Sequence, residues 1–164
     1  LHDSLETKED LENLFETLAS VKDKNDQPAK FTAYALPCNI DFEGMALDGN
    51  EQFKYENLKS TFEKLEALQP DTYQGTWDLW QEGMDKGLMQ PQFHGREHLN
   101  LKIFKDKLSN RDSELMLNLA NRSYTSLNAE NYPFLGVTAA FSYQTQVDTA
   151  EFPEIIRTGI DAFQ

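Results

Sequence analysis

The segment Gln92-Phe93-His94-Gly95-Arg96-Glu97-His98-Leu99-Asn100 holds two of the three histidines in a chain of 164 residues. The two imidazoles stand four positions apart, with a glycine between them and a carboxylate beside the second. Neutral imidazole is the commonest protein ligand for zinc and similar ions. Two imidazoles at this spacing can reach one cation from a helical turn or a tight strand-to-helix turn. His94 and His98 are therefore candidate ligands of a divalent metal, with zinc the first expectation. A catalytic zinc site also needs a third protein ligand and an open position for water. Arg96 and Glu97 are candidates to orient the histidines or a substrate. The plainer alternative makes all four polar residues at a helix start, with His94 satisfying a backbone carbonyl. A third reading follows from the residue order. His94-x-x-Glu97-His98 fits the H-x-x-E-H pattern of inverted zinc peptidases, where Glu97 would be the general base. That pattern lies within one helix, and Pro91 and Gly95 argue against a helix here.

The elements that must position these residues follow from hydrophobic spacing. Residues 7–21 predict a helix, capped by Thr7 with Asp10 in a capping box and striped by Leu11, Leu14, Phe15 and Leu18. Residues 31–36 predict a buried strand stopped by Pro37. Residues 38–50 predict a loop broken by Gly44 and Gly49. Tyr55, Leu58, Phe62 and Leu65 predict a second helix ended by Pro70. Trp77, Trp80, Met84 and Leu88 predict a third, stopped by Gly87. Residues 88–93 predict a short strand that leads into the histidine turn. Leu101, Phe104 and Leu108 predict the next helix, and Leu115, Met116 and Leu119 another, after an Asp112 cap. Residues 136–143 read as the clearest strand, and residues 151–163 as a final helix.

Helices alternating with apolar strands predict an α/β fold whose parallel sheet is buried on both faces. A complete parallel barrel typically takes about 250 residues. The expectation is one α/β domain over residues 1–164, either a small open sheet or a section of a larger catalytic barrel. A section would expose strand edges and self-associate. In such folds ligands gather at the carboxyl ends of strands. His94 is expected at the end of one strand, Gly95 to turn the chain, Arg96 and Glu97 to open the next helix, and His98 to lie in its first turn. Asp41 and Glu43, after another strand, and Tyr143, near the end of a third, become candidate substrate contacts. Trp77 and Trp80 could offer rings for a ligand to stack on, although their spacing with Met84 fits a core face better. Cys38 is the only cysteine. It reads as a buried thiol rather than a nucleophile, and no internal disulfide can form.

Composition excludes some functions. The net charge is −13 and the pI about 4.5. Such a surface repels phosphate backbones and anionic lipid, so neither nucleic acid nor a membrane is an expected partner. No apolar run approaches the roughly 20 residues of a membrane span. No signal peptide is visible, which slightly favours the cytoplasm. Asn121-Arg122-Ser123 matches a glycosylation acceptor, a triplet common by chance.

The histidine segment resembles a motif of a bacterial polysaccharide deacetylase-like family. Asp3-Ser4-Leu5 with the following helix, Ser20-Val21-Lys22-Asp23-Lys24-Asn25, Asn39-Ile40-Asp41-Phe42 and Leu79-Trp80-Gln81-Glu82-Gly83-Met84 are similar to further segments of it, in the same order. The resemblance thins after Asn110. It implies a distorted (β/α) barrel holding a divalent metal, usually zinc. In that family an aspartate and two histidines of an H-x-x-x-H motif bind the metal, and His94 and His98 match the histidines. The aspartate and a neighbouring general base come from an Asp-Asp pair, and a later histidine is the general acid. This chain has no Asp-Asp pair and no histidine after His98. The implied activity is removal of N- or O-acetyl groups from a carbohydrate by metal-activated water. This chain would be an internal section of such an enzyme, inactive alone. The alternative is a non-catalytic carbohydrate-binding or structural domain on the same fold.

Overall fold

The computed structural model describes residues 5–124 and 126–164. His2 and the Asp3-Ser4 part of the resemblance lie outside the described residues. The chain is mixed α/β and about half helical. In order it forms α1 (Lys8–Ser20), β1 (Phe31–Ala35), β2 (Cys38–Ile40), α2 (Phe42–Leu47), β3 (Tyr55–Asn57), α3 (Leu58–Leu68), α4 (Pro70–Tyr73), α5 (Thr76–Asp85), β4 (Met89–Phe93), α6 (Leu101–Ser109), α7 (Ser113–Ala120), a 3-10 turn (Gln146–Glu151) and α8 (Phe152–Phe163). These elements divide into two compact units, and the described part of each is residues 5–35 with 58–94, and residues 36–57 with 95–124 and 126–164.

The first unit is built on a parallel pair. β1 and β4 run side by side with Phe31 opposite Met89 and Ala35 opposite Phe93. Strand side chains alternate between faces. Ala33, Ala35 and Met89 are buried, and Leu11 and Phe15 of α1 pack into the same core. Thr7 and Asp10 form the expected capping box at the start of α1. α1 and α5 pack closely where α5 carries Gly83. A Cβ there would fall 2.4 Å from the Phe15 ring, so no larger residue fits without a shift.

The second unit packs α6, α7 and α8 around Phe104, Ile40, Met45, Leu99 and Leu115, each almost wholly buried. β2 and β3 pair antiparallel across it, Cys38 opposite Asn57. Asp112 caps α7 as expected, accepting from the Leu115 N–H at 2.9 Å.

Several expectations are corrected. The β1–β4 sheet is covered on one face only. Thr32, Tyr34, Gln90 and Gln92 stand exposed on the other, which fits the alternation of Met-Gln-Pro-Gln-Phe in β4 better than a doubly buried strand does. Residues 38–50 are not a loop but hold β2 and α2, and residues 55–57 belong to β3 rather than to the second helix. The spacing of Tyr55, Leu58, Phe62 and Leu65 suits a helix, but the ladder with β2 claims the first turn. Residues 136–143 are turns, not a strand. Backbone groups must be satisfied, and here turn bonds such as Ser142 N–H to Ala139 O at 3.0 Å do so without a neighbouring strand. Pro70 ends α3 and also starts α4 at a helix N-terminal position. Among the described residues no helix is long and apolar enough to cross a membrane.

Candidate functional site

β4 ends at Phe93, and His94 follows it at the carboxyl end of the parallel pair. The His94 N–H donates to Ala35 O at 3.1 Å, continuing the ladder by one step. Its side chain is exposed, and its ring centre lies 5.3 Å from that of Tyr34. Gly95 turns the chain with φ +115°, a region that side-chain-bearing residues rarely adopt. The nearest atom to a Cβ there would be a Phe141 ring carbon at 3.7 Å, an ordinary contact. The backbone angle, not lack of space, therefore requires glycine.

No helix begins at Arg96. Residues 94–100 are irregular, and α6 starts only at Leu101. Arg96 and Glu97 are each 4% exposed. Arg96 Nε and Nη2 both donate to the Glu97 carboxylate, the latter at 2.8 Å. Arg96 Nη1 donates to Thr158 Oγ1 of α8 at 3.0 Å. The guanidinium carbon sits 3.9 Å from the centre of the Tyr55 ring of β3, a cation–π contact. One buried cation therefore ties a strand and a helix to the histidine segment. Burial works against its charge, but the Glu97 carboxylate more than offsets this and holds the Arg96 guanidinium above its ordinary pKa.

Cys38 adjoins this pair, its N–H donating to Arg96 O at 3.0 Å. It is buried, as expected. Burial pushes its thiol up to about 11; the Glu97 charge adds to the rise and Arg96 opposes it. A thiol so placed is inert at neutral pH.

His98 is exposed, while Leu99 fills the core. Asn100 is 1% exposed and saturates its side chain. Its Oδ1 accepts from the Ile103 N–H at 3.2 Å and so caps α6. Its Nδ2 donates to Ala139 O and Ser142 O, both at 2.9 Å. Its own N–H donates to Val137 O at 2.7 Å. The turns that replace the expected strand are thus pinned by one asparagine. Across the whole segment, Gly95, Arg96, Glu97, Leu99 and Asn100 are buried and the two imidazoles are exposed. His94 is the last residue of the first unit, and His98 lies in the second.

The remaining candidates fall elsewhere. Asp41 follows β2 and caps α2, its carboxylate accepting from the Gly44 N–H at 3.0 Å. Asp41, Glu43 and Glu56 are, among the described residues, the one group of three potential ligands whose donor atoms lie within 4.8 Å of one another. Arg122 pairs with Glu43 at 3.2 Å, so that cluster already meets a cation. Tyr143 follows turns rather than a strand, with its ring 6.4 Å from that of Phe152. Trp77 and Trp80 are half-buried. Trp77 packs 5.9 Å from the Phe62 ring, and Trp80 Nε1 donates to Glu6 at 2.5 Å, so neither is an open stacking platform. A cavity of about 220 Å³ opens beside Asn100, Lys102, Lys105 and Glu151. Both its ammoniums are neutralised, Lys102 by Asp106 at 2.7 Å and Lys105 by Glu151.

An inverted peptidase needs both histidines and the glutamate on one helix, with the glutamate facing a water. The irregular backbone and the Arg96–Glu97 pair meet neither need. Sequence reasoning missed Tyr55 and Thr158, which hold Arg96 from 41 and 62 positions away; no local pattern marks either. Comparison of the chain with family models, with curated proteins and with solved structures finds no match.

Proposed function

We propose that this chain is part of a metal-dependent hydrolase of the carbohydrate deacetylase type, with His94 and His98 as ligands of a divalent ion, zinc by preference. The observation that supports it is the burial pattern of the segment. Over residues 94–100 the buried side chains of Arg96, Glu97 and Asn100 are hydrogen-bonded, and the two imidazoles are the exposed side chains. His94 also follows the carboxyl end of a parallel strand, the usual place for ligands in α/β folds. The finer fold reading, a section of a distorted (β/α) barrel, belongs to this proposal, with β1 and β4 as two of its strands.

The residues of the described chain fit the ion in part. They offer two imidazoles, and the Asp-Asp pair that supplies the third ligand in the resembling family has no counterpart in this sequence. A bound ion supplies a water of lowered pKa and polarises the acyl carbonyl of an acetylated sugar. Arg96 and Glu97 act here as positioning residues, since each is engaged by the other. A second reading, a non-catalytic domain of the same fold, is favoured by the way every buried polar side chain of the segment is used to hold neighbouring elements.

Metal analysis tests this. After reconstitution with zinc and gel filtration, the purified chain retains about one equivalent, and His94→Ala or His98→Ala loses it with an unchanged circular dichroism spectrum. Retention of zinc at the same level in both variants, or none in the parent chain, overturns the metal reading and leaves the non-catalytic one.

A further inference from the structure

We infer that the cavity at the start of α6 binds a small uncharged ring through a cis-amide edge, the hydrogen-bonding edge of lactams such as uracil and of primary carboxamides. The cavity measures about 220 Å³, and all of its lining belongs to the second unit. Residues 140 and 142, the 3-10 turn and the first turn of α8 wall it against α6.

Two of its polar side chains have bonding capacity left over. Asp148 has 9% of its side chain exposed. Its Oδ2 accepts from the Thr145 N–H at 2.8 Å and the Gln144 N–H at 3.0 Å, which fixes the carboxylate in place. These bonds hold its carboxyl below the usual carboxylate range, so the group is ionised and can only accept. Its Oδ1 stands 4.0 Å from Lys102 Nζ, beyond hydrogen-bond reach. Lys102 donates to Asp106 at 2.7 Å, which leaves two of its three N–H groups for other acceptors. An acceptor and a donor therefore line one cavity 4.0 Å apart without bonding each other.

That spacing selects a ligand. In a cis amide the carbonyl oxygen and the N–H point the same way from atoms about 2.2 Å apart. Their partners lie about 4 Å apart when each hydrogen bond splays by roughly 20°, which is within the favourable angles. The carbonyl then accepts from Lys102, and the N–H donates to Asp148. A trans amide, as in a peptide or an N-acetyl group, points its two polar groups in opposite directions and meets only one partner. A charged group gains one of the two side chains and is repelled by the other. A neutral edge that both donates and accepts uses both. One water could bridge the pair, but the cavity is far larger than one water needs. Leu101, Val147, Phe152 and Ile155 supply apolar lining for the rest of the ring. The Phe141 and Tyr143 rings pack on Phe152, with centres 5.2 and 6.4 Å away. An apolar wall with a few placed polar groups is the usual make-up of a small-ligand site. The inference stands apart from the metal reading, since neither His94 nor His98 lines the cavity.

The test is a titration of the ¹⁵N-labelled chain with uracil, nicotinamide and 1,3-dimethyluracil, which keeps the ring and both carbonyls but has no N–H. Uracil or nicotinamide is expected to shift the amides of residues 101–106 and 146–152, and 1,3-dimethyluracil to leave them unmoved. Shifts with uracil alone assign a lactam, and shifts with nicotinamide alone a carboxamide. Lys102→Met should weaken the binding about tenfold. Ala150→Leu, at an exposed position in the lining, keeps both charges and should weaken it by filling the cavity. Both variants should match the parent in circular dichroism. No shift with either uracil or nicotinamide at millimolar concentration overturns the inference. Equal shifts with 1,3-dimethyluracil, or undiminished binding by Lys102→Met, overturn it as well.

Discussion

Arg96 stands with its guanidinium carbon 3.9 Å from the centre of the Tyr55 ring while two of its nitrogens donate to Glu97, the next residue in the chain. Consecutive side chains diverge on a regular helix or strand and cannot form a two-point pair there. The pair exists because residues 94–100 are irregular, and Gly95 at φ +115° starts that irregularity.

Removing one member of the pair leaves the other buried and uncompensated. Arg96→Met and Glu97→Leu are each expected to cost about 3–5 kcal/mol in urea unfolding. The double variant should cost less than either single one, because no charge is then stranded. Arg96→Lys should not restore stability, since an ammonium lacks the planar fork that meets the carboxylate at two points. Additive single effects would show that the two side chains act independently.

Asn100 joins a helix cap to two loop carbonyls. Asn100→Ala is expected to lose about 2–3 kcal/mol, from the cap and the buried amide bonds together. Asn100→Asp keeps an acceptor for Ile103 but sets a carboxylate oxygen against the carbonyls of Ala139 and Ser142, so it should be no better than alanine. Hydrogen exchange should quicken at the amides of residues 139–142 in both variants. Asparagine replaced by aspartate without loss would mean that the two carbonyl contacts contribute nothing.

Cys38 predicts an alkaline effect. Its folded thiol is raised from 9.0 to about 11, chiefly by burial. A group held neutral in the fold adds its full stability below the unfolded pKa. That contribution fades as the pH rises, because the unfolded chain then ionises and the folded one does not. Between about pH 9 and 11 stability should fall by up to about 1.4 kcal/mol per pH unit from this group. Cys38→Ala should be flatter over that window when the two unfolding curves are compared. The same burial predicts slow alkylation of the folded thiol at pH 8 and fast alkylation in denaturant.

Much of the local structure is legible in the residues themselves. Thr7 and Asp10 announce the α1 capping box, Asp112 the α7 cap, and the apolar run before His94 the strand β4. These features depend on neighbours within four positions, where spacing and side-chain chemistry suffice. The candidate site is legible as residue types, since the imidazoles at positions 94 and 98 stand out at once. The β2–β3 ladder was not legible, because three-residue strands carry too little periodicity to outweigh a helical pattern across Tyr55 and Leu58. Residues 136–143 misled for the converse reason: an apolar run looks like a strand until a partner for its backbone is known.

By its sequence alone this protein is an acidic α/β chain with helices capped where their first turns demand it, and with two imidazoles spaced to share an ion. Tertiary structure alone decided which residues of the histidine segment reach solvent and which are buried. The partners that bury Arg96 and Asn100, namely Tyr55, Thr158, Ala139 and Ser142, come from 39 to 62 positions away in the chain. A charge or an amide can be buried only where such partners converge, and convergence over that distance depends on packing that no local pattern records.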